Sequence, residues 1–289
     1  MRAARARAPA FGSAVVGAAL LAALPWLGPK YLLPAAPIAI ELVRWTARRG
    51  RRTAALAAAE IMVASVVVYA TINDRLFGGL TPYSATASGR SPTGADTLWE
   101  HVERLPRLAG LWIDRDVGLL RWAPVLGLSG FAAWLLWRSR RAHLARLVEA
   151  RADAEAAAEL ALWVWGAVLF VAAFAAPSIS GEWFAGRQVV AGLPLAAALC
   201  AWGLRHAPRT GAVLGGLTLL GSVWLAIAFA FGGAGGWADH GTDAPLGPAV
   251  ELLPRSGSVW FAVVALVLAL ALVVLVAREW WRERQLAAA

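Results

Sequence analysis

Apolar residues gather along this chain in long runs, at 11–27, 31–45, 53–72, 117–137, 160–176, 189–204, 211–231 and 259–276. Most are long enough to read as helices of a bilayer interior, where about 20 residues cross the hydrocarbon. The expected fold is therefore an all-α polytopic membrane protein, one membrane domain over 1–289 with about eight transmembrane helices. The tight connection Gly28-Pro29-Lys30 makes the first two runs a hairpin, and Pro34 and Pro37 make the second run short and kinked, tilted or re-entrant.

Polar positions break this pattern most strongly at 73–116, which is too hydrophilic to sit in lipid. Within it an interfacial helix is expected at 98–112. Thr97 and Glu100 form a capping box, Leu98, Val102 and Leu105 share one face, and Pro106 must bend or end the helix. A second polar segment, PSISGEWFAGRQ at 177–188, is expected on the same side of the membrane, facing the first across one site. A Gly-rich loop precedes the last run. RSRRAHLARLVEARADAEAAAE, residues 138–159, has the look of an interfacial helix on the opposite side.

Charge orients these runs. The formal net charge of +9 comes from arginines clustered between apolar segments, with Arg44, Arg48, Arg49, Arg51 and Arg52 the strongest cluster. That distribution fits the positive-inside rule better than nucleic-acid binding. With both termini cytoplasmic, about 18 of the 27 basic residues lie inside and about nine outside, where roughly ten acidic groups balance them. The N-terminal MRAARARAP and the apolar run after it resemble a signal peptide, but no small-x-small site precedes a soluble region, so a retained helix is expected. The 16 tryptophans suit membrane boundaries and bundle packing. A single cysteine, Cys200, gives no disulfide framework, and the four histidines show no metal-ligand spacing.

Candidate chemistry gathers at the outer mouth. Asp114 and Asp116, one residue apart, have the oxygen donors to hold a divalent cation or to activate a hydroxyl as a base; equally, they serve to stabilise a helix start. In the second segment Arg187 is placed to clamp a phosphate, with Trp183 and Phe184 stacking on a sugar or isoprenoid and Glu182 beside them, or else to anchor a helix end. Arg121 is embedded in an apolar run. Glu60 lies about 10 Å into the third run, either as an intramembrane proton or ion site or as a polar contact to Arg44. The phosphate-binding glycine loop with its lysine, the Gly-x-Ser-x-Gly elbow and the His-Glu-x-x-His helix are all missing, which argues against a soluble nucleotide donor.

Three stretches in order resemble the membrane-embedded GT-C glycosyltransferase superfamily, and specifically the C-terminal part of its bacterial integral-membrane members. They are LPWLGPKYLLP at 24–34, NDRLFGGLTP followed by LWIDRDVGLLRWAPV, and GEWFAGRQVVAGLPLAAAL. The resemblance implies a bacterial plasma-membrane protein that transfers a sugar from a polyprenyl-phosphate donor at the extracytoplasmic face. Lys30 and Tyr31 match the basic-Tyr turn, and Arg187, Arg121 and Lys30 would stabilise the departing phosphate. Asp114 or Asp116 would then be base or metal ligand. The superfamily's acidic motif lies in a large first outer loop, whereas the first outer connection here is 27–30 and Gly28 stands where relatives often carry histidine. A protein supplying that N-terminal half is thus an implied partner, beside the bilayer and the lipid-linked sugar. The alternative is a non-catalytic scaffold or a transporter of lipid-linked substrates, with Glu60 serving translocation.

Overall fold

The computed structural model describes residues 11–85, 97–139, 149–176, 188–232 and 252–288. Among these residues all regular elements are helical. They are α1 (Phe11–Leu27), a 3-10 turn (Pro29–Tyr31), α2 (Leu32–Arg48), α3 (Arg52–Phe77), α4 (Leu98–Val102), α5 (Leu105–Ile113), α6 (Leu119–Trp122), α7 (Gly127–Ser139), α8 (Glu149–Phe170), α9 (Leu193–His206), α10 (Pro208–Gly232) and α11 (Val259–Ala288). The all-α expectation holds. Three segments are long and apolar enough to cross a membrane, Arg52–Phe77, Ala157–Ala175 and Val259–Arg278, and Phe11–Leu27 and Pro124–Leu136 are shorter apolar helices.

Packing divides the chain into a small-residue layer and a larger core. α1 and α3 run parallel: the Ser65 hydroxyl donates to the Ala22 carbonyl (2.8 Å), and the Trp26 ring meets Tyr69 edge-on one turn further along both helices (5.3 Å). Ala14 and Ala18 of α1 and Ala54, Ala55 and Ala58 of α3 are buried. Their single methyl groups let the backbones approach closely, the usual basis of helix association where lipid removes the hydrophobic drive. α2 packs on α3 and also on α8, joining this layer to the core. There Leu111, Leu119, Leu126 and Leu128 close on Trp165 and Val168 of α8 and on Ala196 and Leu199 of α9. α11 stands apart, with 6% of its apolar window buried and α5 as its main helical neighbour.

The helix expected at 117–137 is corrected by the structure. It is broken into α6, a 3-10 turn at Pro124–Leu126 and α7. Pro124 has no N–H to continue a helix, and the groups freed at the break are met from outside. The Val125 N–H donates to Thr218 Oγ1 of α10 (3.0 Å), and the Cys200 thiol of α9 donates to the Val125 carbonyl (3.2 Å). The interfacial helix expected at 98–112 is likewise two pieces, α4 and α5, because Pro106 opens a new helix. Its cap is as expected, with the Glu100 N–H donating to Thr97 Oγ1 (3.2 Å). From Glu149 onward the stretch expected as a separate interfacial helix forms the first turns of α8; 140–148 lie outside the described residues. α3 overruns its expected end by one turn and stops where Gly78 takes a left-handed conformation (φ 69°).

The α7–α9 crossing depends on a glycine. A Cβ at Gly203 would lie 2.8 Å from the Leu128 carbonyl oxygen, which is backbone and cannot swing away. Gly203→Ala is expected to destabilise the fold by about 1–3 kcal/mol, as overpacking does. Gly130→Ala, in the same helix pair but facing open space, should leave the melting temperature in detergent unchanged or slightly raised.

Candidate functional site

The site is built where α5 stops. Asp114 leaves the helix in extended conformation, and its side chain folds over the turn that follows. One carboxylate oxygen accepts from the Asp116 N–H (2.8 Å) and the Val117 N–H (3.0 Å). The other accepts from the Ser256 N–H (2.7 Å) and from the Ser256 hydroxyl. Four donors fill the roughly four acceptor positions of a carboxylate, and Asp114 is 3% exposed. Gly118 closes the turn: its N–H donates to the Asp114 carbonyl (2.9 Å), and a Cβ there would come within 2.6 Å of the Asp114 nitrogen. The Arg115 N–H donates to the Pro254 carbonyl (2.8 Å), so two adjacent residues tie α5 to the chain entering α11. α11 starts immediately beyond, with the Ser258 hydroxyl capping the Phe261 N–H (3.1 Å).

Asp116 is different in kind. It is about one-third exposed and pairs with the well-exposed Arg255 at 3.2 Å. Arg121, one turn on, donates to the Arg115 carbonyl (2.5 Å), stacks over the Trp122 ring (4.5 Å) and lies within electrostatic reach of Asp116 and Asp114. Arg121 Nε and Trp122 Nε1 are buried with no hydrogen-bond partner among the described residues. The indole N–H groups of Trp165 and Trp202 are in the same state among the described residues, and a buried N–H left unmet costs on the order of 1–3 kcal/mol, which an acceptor brought to it would relieve.

The first polar segment also reaches the end of α8. α8 ends in a π turn, Val171–Ala175, which leaves carbonyls without helical partners. Arg104 donates to the Phe174 carbonyl (2.6 Å) and Arg107 to the Ala176 carbonyl (2.9 Å), so α5 grips the residues from which 177–187 departs. Burial, and behind it the neighbouring Arg104 charge, pulls the Arg107 pKa below the ordinary arginine value. Carbonyl dipoles at this helix end oppose that penalty.

Among the residues expected from sequence, Asp114, Asp116 and Arg121 come together. Glu182, Trp183 and Arg187 lie outside the described residues. Lys30 and Tyr31 form a pair of their own, with the ammonium 5.3 Å from the ring centre, on a turn that packs chiefly against α1 and α2. Glu60 is exposed on α3, and Arg44, considered as its partner, lines the α2–α8 face instead. For the divalent cation, no cluster of three or more His, Cys, Asp or Glu side chains forms among the described residues. A cation at Asp114 would have to displace the donors already there.

Sequence reasoning placed the stretches that hold Ser256, Arg255, Arg104 and Arg107 on the outer side but did not single out these residues as partners in the site. Asp114 followed by a turn glycine is an Asx-type signal, and Ser-Gly-Ser before an apolar run is a helix-start signal. Neither signal says that the two meet across 142 residues.

Asp114→Ala leaves the Ser256 donors and two turn N–H groups unmet. It should destabilise the protein by about 3–5 kcal/mol, the scale for removing one partner of a buried charged network. It should also expose the Pro254–Ser258 stretch to protease. Asp116→Asn, on a rim ion pair, should cost no more than about 1 kcal/mol by thermal melting.

No protein family, curated protein or solved structure matches the chain.

Proposed function

We propose that this chain is a membrane protein of eight crossings, with both termini on the cytoplasmic side and the Asp114 end outside. In this reading the Asp114 end holds the phosphate of a polyprenyl-phosphate sugar for glycosyl transfer. The observation that carries the reading is the pair of buried donors without acceptors among the described residues, Arg121 Nε and Trp122 Nε1, with the one-third-exposed carboxylate of Asp116 in electrostatic reach of Arg121. A phosphate oxygen would satisfy both donors, and charge growing on a departing lipid phosphate would be met by a preorganised guanidinium. In this reading the acidic pair has two roles: Asp114, bound to the backbone, holds the turn, and Asp116, paired with the exposed Arg255, acts as base toward an acceptor hydroxyl. Arg187, Trp183 and Glu182 complete the proposal from the adjoining segment, whose first residue follows the Arg107-bound Ala176 carbonyl. Lys30 and Tyr31, on the first hairpin, are assigned to the lipid-facing edge of this site.

A non-catalytic scaffold or transporter of lipid-linked substrates is the second reading. It draws on the same end of the molecule, because Arg104, Arg107 and Asp114 are all engaged in holding backbone. The weakly packed α11 gives such a protein a helix to offer to a partner.

Purified protein given a labelled polyprenyl-phosphate sugar and acceptor should release lipid phosphate, alone or with the partner that supplies the acidic first loop. Asp116→Asn should lower turnover about 100-fold, the low end for loss of a general base, and Arg187→Ala should abolish it. Wild-type turnover in both variants would remove these residues from the mechanism. Absence of release with the partner present, together with proton-coupled lipid flux lost in Glu60→Gln, would favour the transporter.

A further inference from the structure

A trough of about 810 Å³ runs between α2 and α8, away from the Asp114 end. Its lining changes character along its length. On α2 the positions 33, 37, 40, 44 and 48 recur at helical spacing, apolar from Leu33 to Ile40 and charged at Arg44 and Arg48. From α8 the lining takes Glu159, Trp163, Gly166 and Phe170, also at helical spacing. The candidate span of α8 begins at Ala157, so in an embedded bundle Glu159 would lie at a membrane boundary and the apolar residues of the trough within the hydrocarbon. Leu33 to Arg48 covers about 22 Å by helical rise. One leaflet of hydrocarbon is about 15 Å deep.

The floor of the trough is open. A Cβ placed on Gly166 meets no atom within 4 Å, and Gly166 is exposed between the half-exposed rings of Trp163 and Phe170. Arg44 and Arg48, one turn apart and exposed, make no ion pair among the described residues. Guanidinium groups on one face at a membrane boundary suit a lipid phosphate, which they can bind through two N–H donors each. Glu41 and Glu159 also line the trough, and Glu159 accepts from Trp163 Nε1 (3.3 Å). Arg49, Arg51 and Arg52 follow Arg48 at the same end of α2, so the guanidiniums outnumber the carboxylates there and suit the single negative charge of a phosphodiester.

We propose that this trough seats one glycerophospholipid of the leaflet at the Arg48 end, its phosphodiester held by Arg44 and Arg48 and one acyl chain lying over Gly166. The inference needs only the membrane embedding of α2 and α8 and is read without any sugar transfer, so it stands or falls separately from the transferase reading.

The test is native mass spectrometry of the detergent-purified full chain titrated with phosphatidylglycerol, with melting temperature followed in parallel. One retained lipid is expected. Arg44→Ala with Arg48→Ala should weaken retention about tenfold or more, the effect of losing charge-assisted hydrogen bonds. Because these arginines also lie at the C-terminal end of α2, where cations stabilise the helix dipole, a second variant separates the two roles. A Cβ at Gly166 meets no protein atom, so Gly166→Leu, reaching into the trough from there, should keep the melting temperature and lose the lipid. Gly130→Leu, on another exposed helical face, should keep both. Undiminished retention by Gly166→Leu, equal loss in Gly130→Leu, or displacement of the phospholipid by an equal concentration of polyprenyl phosphate would each overturn the proposal.

Discussion

A break in a helix that lies among other helices, away from water, leaves backbone donors and acceptors that only the protein can satisfy. This chain breaks its helices repeatedly, and three of the breaks are answered from a distant element. Pro124 interrupts the helix leading into α7, and Thr218 and Cys200 take up the two polar groups of Val125. The π turn ending α8 leaves carbonyls that Arg104 and Arg107 bind. α5 stops at Asp114, whose carboxylate collects the N–H groups of the next turn together with those of Ser256. The tertiary structure is largely the set of partners these breaks require.

This constraint bears directly on where chemistry can occur. A polar residue that satisfies backbone is occupied, and its removal is felt as instability before it is felt as lost activity. Asp114, Arg104 and Arg107 are of this kind. Asp116, Arg255 and the Nε of Arg121 are not, since an exposed ion pair is weakly held and a donor without an acceptor has capacity to bind. The functional reading therefore rests on the residues that the architecture leaves over, not on the most buried charge.

The two ends of the molecule handle charge differently. At the Asp114 end, carboxylates and guanidiniums are knotted to backbone by α5 and the chain before α11. At the Arg48 end, exposed guanidiniums border a groove with an apolar floor. α8 connects them, because its C-terminal end is held by Arg104 and Arg107 while its earlier turns border the trough with α2. α11 has little packing along its length and is held near its start, so the Asp114 knot governs its position more than burial does.

Local sequence settled a good part of this. Hydrophobic run length located the helices, the Thr97–Glu100 box set the start of α4, and Pro106 ended it, because these effects act within a few residues of the atoms that cause them. The same local view drew 117–137 as one helix, since mean apolarity carries no record of the N–H that Pro124 lacks or of who replaces it. That Asp114 serves the chain 142 residues away, that Arg104 and Arg107 hold the end of α8, and that Gly166 lies open beside Arg44 are all matters of which helices become neighbours. Neighbourhood follows from the summed packing of small residues at the crossings, such as Ala14, Ala18, Ala58 and Gly203. No short stretch of sequence contains that sum, so the pairing of distant polar groups was decided only when the helices came together.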